Sequence, residues 1–216
     1  MTRNKFEQQL AEIKRRLLSM GSLSEELIGQ SVQSLKDQDV ELAKKVIASD
    51  KQIDREYVNI EKKIMRTIAM QAPVAGDLRL LLTALKNATD IERLGDYAKD
   101  IAEITLRHKD EEYITKLINI PRMNEIALNM IQISLESFET EDADMARQVH
   151  PLDDEVDSLY DRTFRLLTTY ILENPKNISQ AFSLMLVARH LERVADHALN
   201  IANRTIYLKE GDIQYI

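Results

Sequence analysis

The chain has 216 residues, a net charge of −7, and only five glycines and four prolines. Few helix breakers together with 30% charged residues favour an all-helical protein. Zero cysteines exclude disulfides, thiolate metal sites and cysteine nucleophiles, and an acidic chain without a basic stretch argues against nucleic-acid binding.

The N-terminal residues lack the apolar segment that directs secretion. No run approaches the roughly 18 to 20 apolar residues that are needed to span a bilayer. We therefore expect a soluble, cytoplasmic protein.

The first half of the chain predicts three long helices. Apolar residues recur at helical spacing over about 3–36, 39–70 and 75–108. Asp39 is placed to cap the second helix, and Pro73 falls in the turn before the third. Three long helices with short turns predict an up-down-up bundle.

The second half predicts the same order of elements after a linker at residues 109–119. Its helices cover about 121–139, 142–173 and 177–208. Asp142 is a candidate N-cap, and Pro175 marks the second turn. Pro151 falls within the second helix, so we expect that helix to kink or to begin late.

The two halves repeat one another residue by residue. Met20, Asp50, Asp54 and Tyr57 match Met123, Asp153, Asp157 and Tyr160 at one constant offset. Further on the offset is slightly smaller, and Glu92, Arg93 and Asp96 match Glu192, Arg193 and Asp196. A repeat of about a hundred residues indicates two domains. We predict an all-α fold of six long helices in two tandem, pseudo-symmetric three-helix bundles, at residues 1–110 and 111–216.

Acidic residues lie on the apolar stripes of these helices. At about 100° per residue, Glu92 and Asp96 continue the leucine stripe of the third helix. Asp50 occupies a seam position of the second helix, and Asp54 follows one turn later. The second half has the same arrangement in Asp153, Asp157, Glu192 and Asp196.

The turns set these acids at matching heights. Asp50 and Asp96 are equally far from Pro73, as are Asp54 and Glu92, so antiparallel helices bring them to one level. The second half pairs Asp153 with Asp196 and Asp157 with Glu192. Four carboxylates are therefore expected to converge in each bundle.

Clustered carboxylates near apolar surface need a compensating positive charge. Arg93 and Arg193 or simple solvation would supply it in a purely structural protein. Bound cations are the alternative, and carboxylate oxygens without thiolates suit Mg²⁺, Ca²⁺, Mn²⁺, iron or zinc, whose identity stays open. Asp100 and Asn200, one turn beyond Asp96 and Asp196, would extend each site.

Other chemistry is disfavoured. The Glu-x-x-His spacing of di-iron bundles is absent, and so is a glycine-rich phosphate loop. No nucleophile with a base and an orienting acid is evident, so we expect no enzyme. A carboxylate-bridged metal-dependent phosphohydrolase stays open as the alternative, because a metal-bound water is a nucleophile.

The paired motifs D-x-x-x-D and E-R-x-x-D-x-A-x-[ND]-I-A, once in each half, resemble those of the PhoU family of phosphate-uptake regulators. The resemblance runs from about Phe6 to Tyr207 and implies that the eight matched acids are metal ligands. Copy two departs from copy one at Asn200 for Asp100 and at His197 for Tyr97.

The resemblance also implies a regulatory function. It implies restraint of phosphate import through the high-affinity phosphate ABC transporter and dampening of starvation signalling through a sensor kinase. The implied partners are the transporter's ATPase subunit and the sensor histidine kinase, with a homodimer as the assembly, contact to membranes only through these complexes, and no nucleic acid.

Overall fold

The computed structural model describes residues 3–73 and 75–211. Within these ranges the chain forms α-helices without a strand, namely α1 (Arg3–Asp37), α2 (Val40–Gln71), α3 (Ala75–Arg107), α4 (Asn119–Thr140), α5 (Ala143–Arg147), α6 (His150–Glu173) and α7 (Ile178–Glu210). Helices α1 to α3 pack together as one bundle, and α4 to α7 form the second. The predicted all-α fold of tandem bundles is confirmed.

The first turn of each bundle has the same backbone and the same cap. Gln38 and Glu141 adopt left-handed conformations with φ of 53° and 55°. The next residue in each case is an aspartate, and Asp39 Oδ1 accepts hydrogen bonds from the backbone N–H groups of Glu41 and Leu42. Asp142 caps α5 in the same way. Both predicted N-caps are confirmed, because each aspartate satisfies donors that have no partner within the helix.

Pro151 divides the second helix of the second bundle. The short helix α5 ends at Arg147, and α6 begins at His150 with Pro151 in its first turn. A proline there loses no hydrogen bond, whereas inside a continuous helix it would remove one. The expected late start is therefore confirmed, and α2, with Ala48 at the matching position, is continuous.

The two bundles pack against each other through α3 with α7 and through α1 with α4. Helices α3 and α7 run antiparallel, since His108 at the end of α3 meets Ser183 near the start of α7. Near their midpoint the rings of Tyr97 and His197 stack with centroids 5.7 Å apart.

The contact between α3 and α7 is also polar. Asp90 is buried and is held by His197 Nδ1 at 2.6 Å and by Arg204. Arg204 also donates to Asn87 Oδ1 at 3.3 Å. These bonds satisfy a buried charge and fix how the bundles are joined. A search of the helices in the described ranges finds none with the length and hydropathy of a membrane span.

Candidate functional site

The first carboxylate cluster lies where α2 and α3 approach most closely. Helix α2 supplies Asp50 and Asp54, and α3 supplies Glu92 and Asp96. A Cβ atom on Gly95 would lie 2.7 Å from Ile53 Cδ1 and 3.5 Å from Asp50 Oδ1, so the glycine lets the Ile53 side chain pack closely against α3. Asp50 is buried at the base of the cluster, and Asp54 is exposed at its mouth.

The charges of this cluster interact across the two helices. Burial raises the pKa of Glu92, and the charges of Asp96, Asp54 and Asp50 raise it further. Burial also raises the pKa of Asp54, with added contributions from Asp50 and Asp96. Repulsion between groups on different helices requires proximity, so the structure brings the four predicted carboxylates of the first bundle together.

Two cations accompany the first cluster. Lys99 Nζ lies 3.2 Å from Asp50 Oδ2, and this hydrogen bond raises the pKa of Lys99. Arg93 donates to Asp96 Oδ2 at 2.9 Å, and its Nε lies 3.6 Å from Glu92 Oε2. Arg93 therefore supplies part of the compensating positive charge, as expected for a purely structural protein. Lys99 is a second cation, and the sequence alone did not predict its contact with Asp50.

The second cluster repeats the carboxylates on α6 and α7. Burial raises the pKa of Asp153 to about 6, and Asp157 and Asp196 add to the shift. The pKa of Asp157 is raised by burial, then by Asp196 and by two further acids, Asp154 and Asp161. The four predicted carboxylates of the second bundle thus also share one environment.

The cations of the second cluster differ from those of the first. Arg193 donates to Asp196 Oδ2 at 3.0 Å, as Arg93 does to Asp96. Arg189 pairs with Glu192 and lies 5.7 Å from the ring centroid of Tyr160 on α6. In both clusters the cations lie on one helix, α3 or α7, but Asp153 is left without a cation among the described residues.

One oxygen in each cluster is buried without a hydrogen-bond donor in the described part of the chain. These atoms are Asp50 Oδ1 and Glu192 Oε2. Glu192 Oε2 has Arg193 Nε at 3.8 Å, whereas Asp50 Oδ1 has no such neighbour among the described residues. Buried carboxylate oxygens are normally paired or bound to a metal, so an oxygen-preferring cation fits best beside Asp50 Oδ1. Within residues 3–73 and 75–211 no three acidic or histidine side chains stand close enough to hold a single ion. Ligation by several of them therefore requires side-chain rotation.

The two outer residues predicted to extend the sites have different surroundings. Asp100 Oδ2 is 4.0 Å from His190 Nε2, at the contact between the bundles. Burial raises the pKa of Asp100, and it lowers that of His190. Asn200 is exposed on α7. The positions of Asp100 and Asn200 thus differ from each other, and a role for either as a ligand stays a prediction.

The model of the PhoU domain matches residues 17–105 and 120–205. The chain belongs to the PhoU domain family. It is 43% identical over 209 residues to a phosphate-specific transport system accessory protein PhoU homolog of Aquifex aeolicus, with 97% of this chain and 95% of the relative covered. The Clostridium acetobutylicum homolog is 39% identical, with 98% and 97% covered.

Solved structures of PhoU proteins share the fold. The crystal structure of PhoU from Pseudomonas aeruginosa superposes with a TM-score of 0.93 at 35% identity, covering 96% of this chain and 100% of that one. PhoU from Streptococcus pneumoniae, described as a phosphate transport system regulatory protein, gives a TM-score of 0.89 at 26% identity, with 96% and 98% covered.

Between the two PhoU domains, the structure assembles a trio that sequence spacing does not show. His108 Nδ1 lies 2.8 Å from Glu111 Oε2, and His108 Nε2 lies 2.8 Å from Ser183 Oγ. The order of acid, imidazole and hydroxyl is that of a hydrolase triad. His108 and Ser183 are buried, however, so a substrate cannot reach the hydroxyl while the linker is in place. The trio fastens the linker to α7, together with Gln180.

Proposed function

We propose that this protein is an accessory regulator of phosphate transport. It restrains import through the high-affinity phosphate ABC transporter, and it dampens signalling by the sensor histidine kinase of the phosphate-starvation response. Similarity along nearly the whole chain to proteins named as accessory to the phosphate-specific transport system carries this proposal.

In this proposal the protein acts by binding and not by turnover. Its partners are the ATPase subunit of the transporter and the cytoplasmic part of the kinase, and it works as a cytoplasmic homodimer. The buried hydroxyl and imidazole of the linker trio favour a binding role, since this hydroxyl, which has a base beside it, is closed to substrate.

Metal ions bind the two carboxylate clusters in the same proposal. Asp50, Asp54, Glu92 and Asp96 hold ions in the first bundle, and Asp153, Asp157, Glu192 and Asp196 do so in the second. Iron, zinc, manganese and magnesium all accept such oxygens. Burial, and then repulsion from neighbouring acids, raises the pKa values of Glu92 and Glu192, and a bound ion would offset that repulsion. The buried oxygens of Asp50 and Glu192 that accept no hydrogen bond from the described residues support this part of the proposal.

A binding experiment with purified components tests the regulatory role. The full chain is immobilised and offered the transporter's ATPase subunit or the cytoplasmic part of the kinase, at low and at high phosphate. We expect retention of at least one component, with Glu139→Gln, an exposed change outside the clusters, as a control that binds like the wild type. Retention of neither component at any phosphate level would overturn the proposal.

The hydrolase alternative has its own readout. Metal-loaded protein is incubated with p-nitrophenyl phosphate, and the release of phenolate is followed. Steady turnover that disappears in Asp96→Ala but persists in Glu139→Gln would establish the phosphohydrolase instead.

A further inference from the structure

A groove runs between the first turns of α3 and the last turns of α7. It has a volume of about 440 Å³, and its apolar lining includes Leu78, Leu82 and Leu85 from α3 and Tyr207 from α7. Leu82 is 46% exposed, which is unusual for a leucine on the side of a helix that faces its neighbours. The groove lies on the same stripe of α3 as Glu92 and Asp96, toward the N-terminus of that helix.

Among the described residues, every charged side chain that lines this groove is a cation. These residues are Arg79, Lys86 and Arg204. Arg204 is engaged by Asp90, and the Arg79 guanidinium lies 5.2 Å from the ring centroid of Tyr207. Among the described residues, Arg79 and Lys86 have no carboxylate partner. On a chain of net charge −7 this groove is a basic exception.

The second bundle supplies an internal comparison. Its equivalent surface carries Ile178, Phe182 and Met185 in place of the three leucines, but Arg107 in place of Tyr207. The positions of Arg79, Lys86 and Arg204 are taken there by Ser179, Leu186 and Ile104. The three cations, two on α3 and one on α7, therefore do not follow from the duplication.

We propose that this groove is the docking site for an acidic amphipathic helix of a partner protein. The lining runs from Ala75 to Lys86 on α3, or about 16 Å at roughly 1.5 Å per residue, which matches about three turns of a bound helix. Apolar side chains of that helix fill the space over Leu82, and its carboxylates pair with Arg79 and Lys86. This inference rests on the proposed function, and it specifies that the partner presents apolar side chains and carboxylates on one helix.

The test uses a fluorescent peptide of about 18 residues with leucines on one helical face flanked by glutamates. Its anisotropy is measured against the full chain. We expect binding that weakens about tenfold in Arg79→Glu/Lys86→Glu and that declines with rising salt. Lys45→Glu, on the exposed surface of α2, is the matched control and should keep the wild-type affinity.

A second variant separates the groove from a general charge effect. Leu82→Ser leaves the charges in place and removes an exposed apolar contact, so it should also weaken the peptide while circular dichroism stays unchanged. Equal binding of a peptide with lysines in place of the glutamates would overturn the proposal. Light scattering tests whether the groove binds a second copy of the chain instead. Self-association of the wild type that is lost in Arg79→Glu/Lys86→Glu would show this and would also overturn the proposal.

The peptide result is independent of the transporter experiment. Peptide binding at the groove without retention of the ATPase subunit or the kinase would overturn the proposed function and leave the groove as a docking site. Retention of those components without peptide binding would overturn only the proposal that the groove is a docking site.

Discussion

The two carboxylate clusters contain the same four acids but different counter-charges. Lys99 neutralises Asp50 in the first cluster, and the repeat has Leu199 at that position, so Asp153 has no equivalent cation. The second cluster also gains acids, because Asp154 and Asp161 stand where the first half has Lys51 and Val58. Duplication has kept the carboxylates and changed what surrounds them.

This difference sets how each cluster would admit a cation. An ion entering the first cluster competes with Lys99 for Asp50, and that competition does not depend on pH near neutrality. An ion entering the second competes with the proton on Asp153, whose pKa is about 6. Above that pH the second cluster carries more uncompensated negative charge, and we expect it to bind divalent cations more tightly than the first.

The largest expected effect is that of metal on stability. Saturation at about 100 times the Kd adds about 2.7 kcal/mol to the free energy of unfolding, or roughly 5 to 10 °C in Tm for a chain of this size. Chelated and Mn²⁺-loaded proteins are compared by calorimetry. Asp153→Asn/Asp157→Asn should remove more of the shift than Asp50→Asn/Asp54→Asn, and the reverse order would contradict the comparison.

The next effect is that of exchanging the counter-charge. Lys99→Leu gives the first cluster the residue of the second, so Mn²⁺ affinity at the first cluster should rise several-fold by titration calorimetry. The metal-free variant should lose about 1 to 3 kcal/mol, since Asp50 is 4% exposed and loses its donor. Lys45→Leu is the control, and equal Mn²⁺ affinities for Lys99→Leu and the wild type would refute a role for Lys99 as competitor.

Helix spacing at the clusters gives a smaller effect. Gly95→Ala adds a Cβ 2.7 Å from Ile53 Cδ1, and overpacking offset by better helix propensity should cost about 1 kcal/mol net. Ile53→Val removes the clashing carbon, and the second half has Val156 and Ala195 at these positions. The double variant should therefore recover the loss. If the changes in the free energy of urea unfolding of the two single variants sum to that of the double variant, the two side chains do not contact each other.

The last expected effect is the pH dependence of the metal-free protein. Burial and neighbouring acids raise the pKa of Asp153 from 3.8 to about 6, so the folded state binds this proton more tightly than the unfolded state. This contribution to stability is complete below about pH 4 and is lost as the pH rises through about 6. Asp153→Asn should flatten the stability profile between pH 4 and 7, relative to the exposed control Glu139→Gln, and an unchanged slope would exclude Asp153 as its source.

Local signals in the sequence were sufficient for the fold and for the carboxylates. Helical periodicity gave the long helices, the repeat gave two bundles, and the residues Asp39, Asp142 and Pro151 gave the turns and the break. Asp54 and Glu92 are equally far from the turn at Pro73. Because the rise per residue is the same in both antiparallel helices, the two residues lie at the same height. Each of these inferences depends on neighbours within one element or across one turn.

Contacts between distant segments were decided only by the packing of the bundles. Lys99 reaches Asp50 because of the approach of α2 to α3 at Gly95, and His108 meets Ser183 because α3 and α7 lie antiparallel. The cations of the groove are scattered over residues 79 to 204, and no spacing rule joins them. Sequence determined which helices form and where their acids point, whereas the burial and counter-charge of each acid depend on side chains that only tertiary packing brings near.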